Sequence, residues 1–470
     1  MSPAKISLSR ALRISSGDVV ALVGGGGKTS AMFRLANELS QASPSPLRVL
    51  VTTTTRIFAT QIKLAPSFVT FDPARQSLAD LRPDLQTACE QHGQVLLIGQ
   101  ADAGSGKALG VAPGVIDALA ASGWFDVILI EADGSRMHPF KAPAKHEPQI
   151  PASTTLVVPV VGIDALGRPL ADKHVHRASL VSQLSHTPLD QPVTLETVAK
   201  VLTHPRGGLK SVPSSARVAT LLNKVENKDQ LGLAQALADH LLATPRLESV
   251  VIGAVGHAGE TKRSDLEIRP TVSEVRGRTA AVILAAGGST RFGSPKQLAR
   301  WQGQTFIERA AETALASQAE PVIVVLGAEA GQSQALLQDQ PVQIVVNPNW
   351  ANGQSSSMAA GLAALPDNVQ AVVFLLVDLP GITPSMVDLL IDRHRQTLAP
   401  LVWPEYQGRR GHPILFDRSL FPDLRRVRGD TGGRPVVMAY QDRAERVQVD
   451  DPAIIQDIDR PEDLSRASNR

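Results

Sequence analysis

The chain has 470 residues, enough for roughly three domains of typical size, and its 43% hydrophobic and 20% charged content is that of a folding protein, not a disordered one. Lys and Arg number 47 against 45 Asp and Glu, too even a balance for bulk electrostatic capture of nucleic acid or an anionic membrane, and 4% aromatic residues argue against a stacking platform for single strands. The single cysteine, Cys89, excludes an internal disulfide framework and Cys-rich metal sites; with no apolar run near the roughly 20 residues of a membrane span and no signal-peptide core in MSPAKISLSRALRISSGD, a cytoplasmic location is expected.

In the first half, strands are predicted at Val19–Val23, Val49–Thr53, Val95–Ile98, Val127–Ile130, Thr155–Val161, Ala219–Leu222 and Ser249–Ile252. In the second half they are predicted at Ala280–Leu284, Pro321–Leu326, Gln343–Val346, Ala371–Val377 and Pro400–Trp403. Most are continuous apolar runs alternating with helical stretches, the pattern of parallel strands covered on both faces. Two doubly wound α/β domains follow, with ligands beyond the C-terminal strand ends. The polar segment RPTVSEVRGRT divides them, giving domains at 1–268 and 280–470 and a linker at 269–279.

Val19–Val23 leads into Gly24, Gly25, Gly26, Gly27, Lys28 and Thr29, then a helical stretch. Strand, glycine loop, Lys-Thr and helix make a phosphate cradle: glycines admit phosphate oxygens to backbone N–H groups, the helix start adds positive potential, and Lys28 pairs with the charge. Thr29 offers a hydroxyl to Mg²⁺. The loop is shorter than a Walker A motif, which needs Gly where Leu22 stands. The run Val127–Ile130 ends in Glu131, Ala132, Asp133, as in a Walker B strand, and Asp133 is the expected metal ligand beside Thr29. Thr52–Thr55 with Arg56 suits a phosphate contact and a helix cap equally. Leu222 runs into Asn223, Lys224, Val225, Glu226, similar to the base-reading NKxD element with Glu for Asp. Arg136–Lys145, with His138, Lys141 and Lys145, reads as a basic lip over an anion or as a solvated loop. His174, His176 and His204 have no dependable metal spacing.

The order VGGGGKTS, TTTTR, EADGSRMHPFKAP, LLNKVE resembles the YqeC family over roughly residues 10–260. That P-loop-like group is associated with selenium-dependent molybdenum hydroxylases. The resemblance implies a P-loop-NTPase-like fold and binding of ATP or GTP through Gly24–Thr29, Asn223 and Lys224. It also implies a possible molybdoenzyme client.

The second half opens with LAAGGSTRFGSPKQL after its first strand: Leu284, Ala285, Ala286, Gly287, Gly288, Ser289, then Arg291 and Lys296. Small residues let this loop wrap a triphosphate, and Arg291 and Lys296 neutralise it, one as a fork and one as a point charge. Asn347, Gly353 and Ser356 stand at a hydroxyl-rich helix start that suits base and ribose contacts or simple capping. Asp378, at the end of a buried strand, is a candidate Mg²⁺ ligand, with Asp459 as its partner from far along the chain.

This set resembles the MobA-like nucleotidyltransferases, of MocA type, over about residues 279–466. The resemblance implies a Rossmann-like domain of nucleotide-diphospho-sugar transferase type and transfer of CMP from CTP to molybdopterin with Mg²⁺. Leu284–Gly287, LAAG where guanylyltransferases carry LAGG, favours CTP. The elements Gly408–Pro413, with Gly411 and His412, and Gly429–Gly432, with Asp430, would line the pterin and phosphate side. Arg291, Lys296 and Asp378 would be catalytic. Guanylyl or sugar-1-phosphate transfer and a nucleotide-gated chaperone are the alternatives.

Overall fold

The structure, a computed structural model, describes residues 6–102, 107–256, 271–288, 292, 295–460 and 462–463. The chain parts into two compact units between Arg276 and Gly277. Both are α/β with mainly parallel sheets. Among the described residues, no helix is long and apolar enough to cross a membrane.

Among the described residues, the first unit contains eight parallel strands: β1 (Val19–Gly24), β2 (Val49–Thr53), β3 (Phe68–Thr70), β4 (Gln94–Ile98), β5 (Val127–Glu131), β6 (Leu156–Gly162), β7 (Arg217–Asn223) and β8 (Ser249–Ala254). Their order is β3-β4-β2-β5-β1-β6-β7-β8. Strand β1 lies in the middle, and Val20, Ala21 and Leu22 have no exposed surface. Alternate residues feed two apolar layers, Val19, Ala21 and Val23 with Leu81 and Ile116 in one, Val161, Val218 and Leu222 with Val198 and Leu237 in another. Burial on both faces explains why these strands read as unbroken apolar runs. Their C-terminal ends bring the glycine loop, Thr53–Arg56, Glu131–Gly134 and Asn223–Glu226 to one edge.

In the second unit, the part of β9 (Thr271–Ala285) beyond Arg276 pairs in parallel with β10 (Val322–Leu326) and β12 (Val369–Leu376), and β11 (Gln343–Val346) with β10, in the order β11-β10-β9-β12. Strand β13 (Leu401–Tyr406) is joined to β12 through β14 (Ile414–Asp417), which runs antiparallel to both, and β15 (Glu445–Gln448) pairs with β13 in parallel. Where a doubly wound sheet was expected, the described residues thus form a mainly parallel α/β core that also carries antiparallel strands. From Thr271 onward, the expected linker 269–279 is strand. Within it Glu274 accepts from Gln235 at 3.1 Å and from Arg276 at 3.2 Å, while Val272 and Val275 are buried.

Candidate functional site

The glycine loop of the first unit is held from below by other segments. Gly24, Gly26 and Gly27 have φ of 94°, 80° and 119°, a region other residues rarely enter. A side chain at Gly26 would stand 2.1 Å from the Gly162 nitrogen. The N–H groups of Gly24, Gly25 and Gly26 are already engaged, by Asp133 at 3.0 Å, the Val160 carbonyl at 2.9 Å and the His138 carbonyl at 3.0 Å. These three glycines therefore shape the loop and do not present amides to a ligand. The open donors belong to the next turn. Helix α1 (Lys28–Ser40) starts at Gly27 with no capping side chain, and its first residues line a cleft of about 1180 Å³. An uncapped helix start with a lysine in its first turn suits an anion.

The carboxylates divide the work differently from the expectation. Thr29 Oγ1 donates to Glu131 Oε2 at 2.7 Å, and Gln61 Nε2 donates to Thr29 at 3.2 Å. Asp133, expected beside Thr29, instead lies beneath the loop, 2% exposed, between Lys28 at 3.2 Å and Lys141 at 3.0 Å. Strand β5 ends at Glu131, and the turn that follows carries Asp133 under Gly24 while Glu131 stays at the cleft. Hydroxyl and carboxylate donors suit a hard cation such as Mg²⁺, and Thr29 with Glu131 is the pair placed to hold one. Lys28 Nζ also donates to the Gly24 carbonyl at 2.6 Å and reaches Glu131 at 3.7 Å. Burial would lower its pKa, but Asp133 and Glu131 outweigh that and raise it, so Lys28 stays charged. The chain of charges continues: Lys141 meets Glu147 at 2.8 Å, and Glu147 meets Arg177 at 2.6 Å. Burial pushes the Glu147 carboxyl up, yet the Arg177 hydrogen bond and the Lys141 charge prevail and hold it at about 2.

Asn223 is 3% exposed and spent within the protein. Its Nδ2 donates to the Gly26 carbonyl at 2.8 Å, and its Oδ1 accepts from Val255 N at 2.7 Å. It braces the loop where a base reader was expected. Lys224 lines the cleft and pairs with Asp164 at 2.9 Å. Of the expected basic lip, Lys141 is buried in the ion chain, and His138 stacks on His176 with ring centroids 5.9 Å apart.

In the second unit, Lys296 joins the two expected metal ligands, donating to Asp378 Oδ2 at 3.1 Å and Asp459 Oδ1 at 2.7 Å. Ile458 N donates to the Asp378 carbonyl at 2.9 Å, so the C-terminal segment is tied to the strand end that carries Asp378. Burial would lower the Lys296 pKa, and Asp378 and Asp459 reverse it to a rise. Two carboxylates converging on one ammonium are also a hard-oxygen site for a divalent cation. Among the described residues, no group of three or more His, Cys, Asp or Glu forms a ready metal cluster. Any ion held here needs phosphate or water oxygens to complete its shell. His412 adds an orphan: its Nδ1 is buried without a hydrogen-bond partner among the described residues. Burial holds its pKa at about 4, against the opposing pull of Asp378, so the ring is neutral at pH 7.

Leu284, Ala285 and Ala286 are buried, and Gly287 and Gly288 are exposed at the mouth of β9. A side chain at Gly288 would stand 3.0 Å from the Trp350 ring. Ser289 and Arg291 lie outside the described residues. Asn347 donates to Ser356 at 2.9 Å and Ser357 at 3.1 Å, and accepts from Asn349 N at 3.0 Å. Both Asn347 and Ser356 border a cleft of about 470 Å³, but their polar atoms are committed to each other and to the backbone. Gly353, at φ 98°, and Asp430 meet at the start of α2 (Gln354–Ala363), where Asp430 Oδ1 accepts from Gln354 N at 3.0 Å. Asp430 thus caps this helix, a role its position in the sequence did not reveal. Gly411 packs against Ile454, where a side chain would stand 2.5 Å from the Ile454 side chain.

The family model described as YqeC protein matches residues 20–179, and that described as MobA-like NTP transferase domain matches residues 281–444. The uncharacterized protein YqeC of Escherichia coli is 37% identical over 226 residues, 47% of this chain and 83% of the relative. Nicotine blue oxidoreductase of Paenarthrobacter nicotinovorans is 34% identical over 192 residues, 39% of this chain and 94% of the relative. A probable molybdenum cofactor guanylyltransferase of Bacillus anthracis is 28% identical over 136 residues, 29% of this chain and 66% of the relative.

Proposed function

Because the chain belongs to the YqeC family in its first half and to the MobA-like NTP transferase family in its second, we propose that the second unit transfers CMP from CTP to the terminal phosphate of molybdopterin or its molybdenum-loaded form. The observation that carries this reading is Lys296 set between Asp378 and Asp459. The substrate phosphate, ionised at pH 7, attacks the α-phosphorus in line. A phosphorus–oxygen bond forms there as the α–β bond breaks and pyrophosphate leaves. No protein nucleophile or general base is needed; positioning and charge neutralisation supply the catalysis. Asp378 and Asp459 would hold Mg²⁺, which offsets charge on the phosphates. Lys296 then turns from the carboxylates to the triphosphate, with Arg291 as the second cation.

The Leu284–Gly287 sequence supports CTP, while the guanylyltransferase relative supports GTP. Pyrophosphate release from CTP and GTP in competition, with Mg²⁺ and molybdopterin, decides between them. The relative named as an oxidoreductase supports a second reading, redox chemistry in the same unit, under which no pyrophosphate appears.

The first unit, in the same proposal, is P-loop-like and binds ATP or GTP at Gly27–Ser30, with Thr29 and Glu131 toward Mg²⁺. It would serve as an accessory to a molybdoenzyme client. Loss of nucleotide binding in Lys28→Ala, with pyrophosphate release unchanged, is the expected result.

A further inference from the structure

We infer that the cleft of the first unit contains a second site, for a small molecule bearing a phosphate-like tetrahedral oxyanion, held by Arg136, Arg177 and Lys224. The inference rests on the reading of Gly27–Ser30 as a nucleotide site.

The cleft is larger and more cationic than one nucleotide requires. Its volume of about 1180 Å³ exceeds the roughly 300–1,000 Å³ of single-ligand pockets. Among the described residues, eight Lys or Arg side chains line it against two carboxylates, Glu131 and Glu147. Lys28 and Thr29 serve the loop end, and the three named cations do not belong to that end's helix.

Backbone strain marks the same three residues. Arg136, Met137, Arg177 and Lys224 line the cleft with φ of 48°, 64°, 64° and 63°. Residues with side chains enter this region at a cost, and such conformations persist where the surrounding structure imposes them, often at binding sites. Three of these four residues are cations. Arg136 and Met137 are consecutive and exposed, and no carboxylate pairs with Arg136 among the described residues.

The neighbours prepare these cations for a ligand. Arg177 spends Nη1 on Glu147 at 2.6 Å and the Ala142 carbonyl at 3.3 Å. That anchors the guanidinium, whose forked donors match phosphate geometry. Lys224 pairs among the described residues with Asp164, both side chains being about 40% exposed, a weak pairing that a stronger anion displaces. The strap bearing Arg136 is tied to the glycine loop, since the His138 carbonyl two residues on accepts from Gly26 N. A ligand on Arg136 and a nucleotide on the loop would therefore touch one connected backbone.

Equilibrium dialysis of the full chain with labelled inorganic phosphate, at saturating non-hydrolysable ATP analogue, tests this. The expected result is a phosphate site that persists with nucleotide present and weakens about tenfold or more in Arg136→Ala, with partial rescue by Arg136→Lys. In Lys28→Ala without nucleotide, Arg136-dependent phosphate binding should remain. If nucleotide fails to bind the wild type while that dependence holds, the loop reading falls and the second site stands. Phosphate binding that ignores Arg136→Ala, or that nucleotide displaces and Lys28→Ala removes, overturns the inference.

Discussion

Both carboxylate oxygens of Asp133 stand 3.0 Å from the backbone nitrogen of Gly24. The same side chain neutralises Lys28 and Lys141, which are 2% and 1% exposed. Removing it leaves the Gly24 amide without its acceptor and takes one carboxylate from each of two buried ammonium groups, leaving Lys28 with Glu131 at 3.7 Å and Lys141 with Glu147 at 2.8 Å. Asp133→Ala should therefore cost about 3–5 kcal/mol of stability. Urea unfolding of the full chain measures this, and Asp133→Asn, which keeps an acceptor for Gly24, should lose less.

Nucleotide binding to the first unit should depend on Lys28. A ligand at about 100 times its Kd stabilises by about 2.7 kcal/mol. Thermal melting with ATP or GTP should show an upward shift of the first unit that Lys28→Ala abolishes, while any CTP-induced shift of the second unit remains.

Acid should weaken the first unit through Glu147. Its folded pKa, about 2, is depressed below the ordinary 4.5 by the Arg177 hydrogen bond and the Lys141 charge acting against burial. A depressed carboxyl contributes stability that is full above the unfolded pKa and is lost as pH falls through the folded one. Denaturant midpoints should thus fall from about pH 4.5 toward pH 2. Glu147→Gln should be less stable at pH 7 and flatter across that window.

Asp430 should behave as a helix cap. Asp430→Ala should cost about 0.5–2 kcal/mol in stability, the range for a lost N-terminal cap. Asp430→Asn, which retains the acceptor, should keep both stability and pyrophosphate release. A large activity loss in Asp430→Asn with unchanged stability would assign it to substrate instead.

The long strands and the glycine loop were legible because burial on both faces writes continuous apolar runs, and because close backbone approach at Gly24–Gly26 admits no side chain. Lys296, Asp378 and Asp459 could be named from the sequence, since each sits at a strand end or in a motif. Their convergence on one point depends on the C-terminal segment returning to β12, which no local pattern encodes. Asp133 and Glu131 were harder to separate. Two residues apart, they would share a strand face, and only the end of β5 at Glu131 sends them to different places. Asn347 and Ser356 suit ligand contact and capping alike in the sequence, and Asp430 suits a ligand contact, because a cap and a contact use the same polar atoms. The left-handed conformations at Arg136 and Met137 had no signal at all, since neither is a residue type that favours them. Strand β14 (Ile414–Asp417) is short, four residues behind a proline, and left too little pattern to read.

The central claim concerns the Lys296–Asp378–Asp459 group, and pyrophosphate release measures it most directly. Purified chain with CTP, Mg²⁺ and molybdopterin should release pyrophosphate as the cytidylylated pterin forms. Lys296→Ala and Asp378→Ala should each slow this by about 10²-fold or more without unfolding the chain. Absence of pyrophosphate from the wild type with either CTP or GTP, or full activity in Asp378→Ala, would contradict the account.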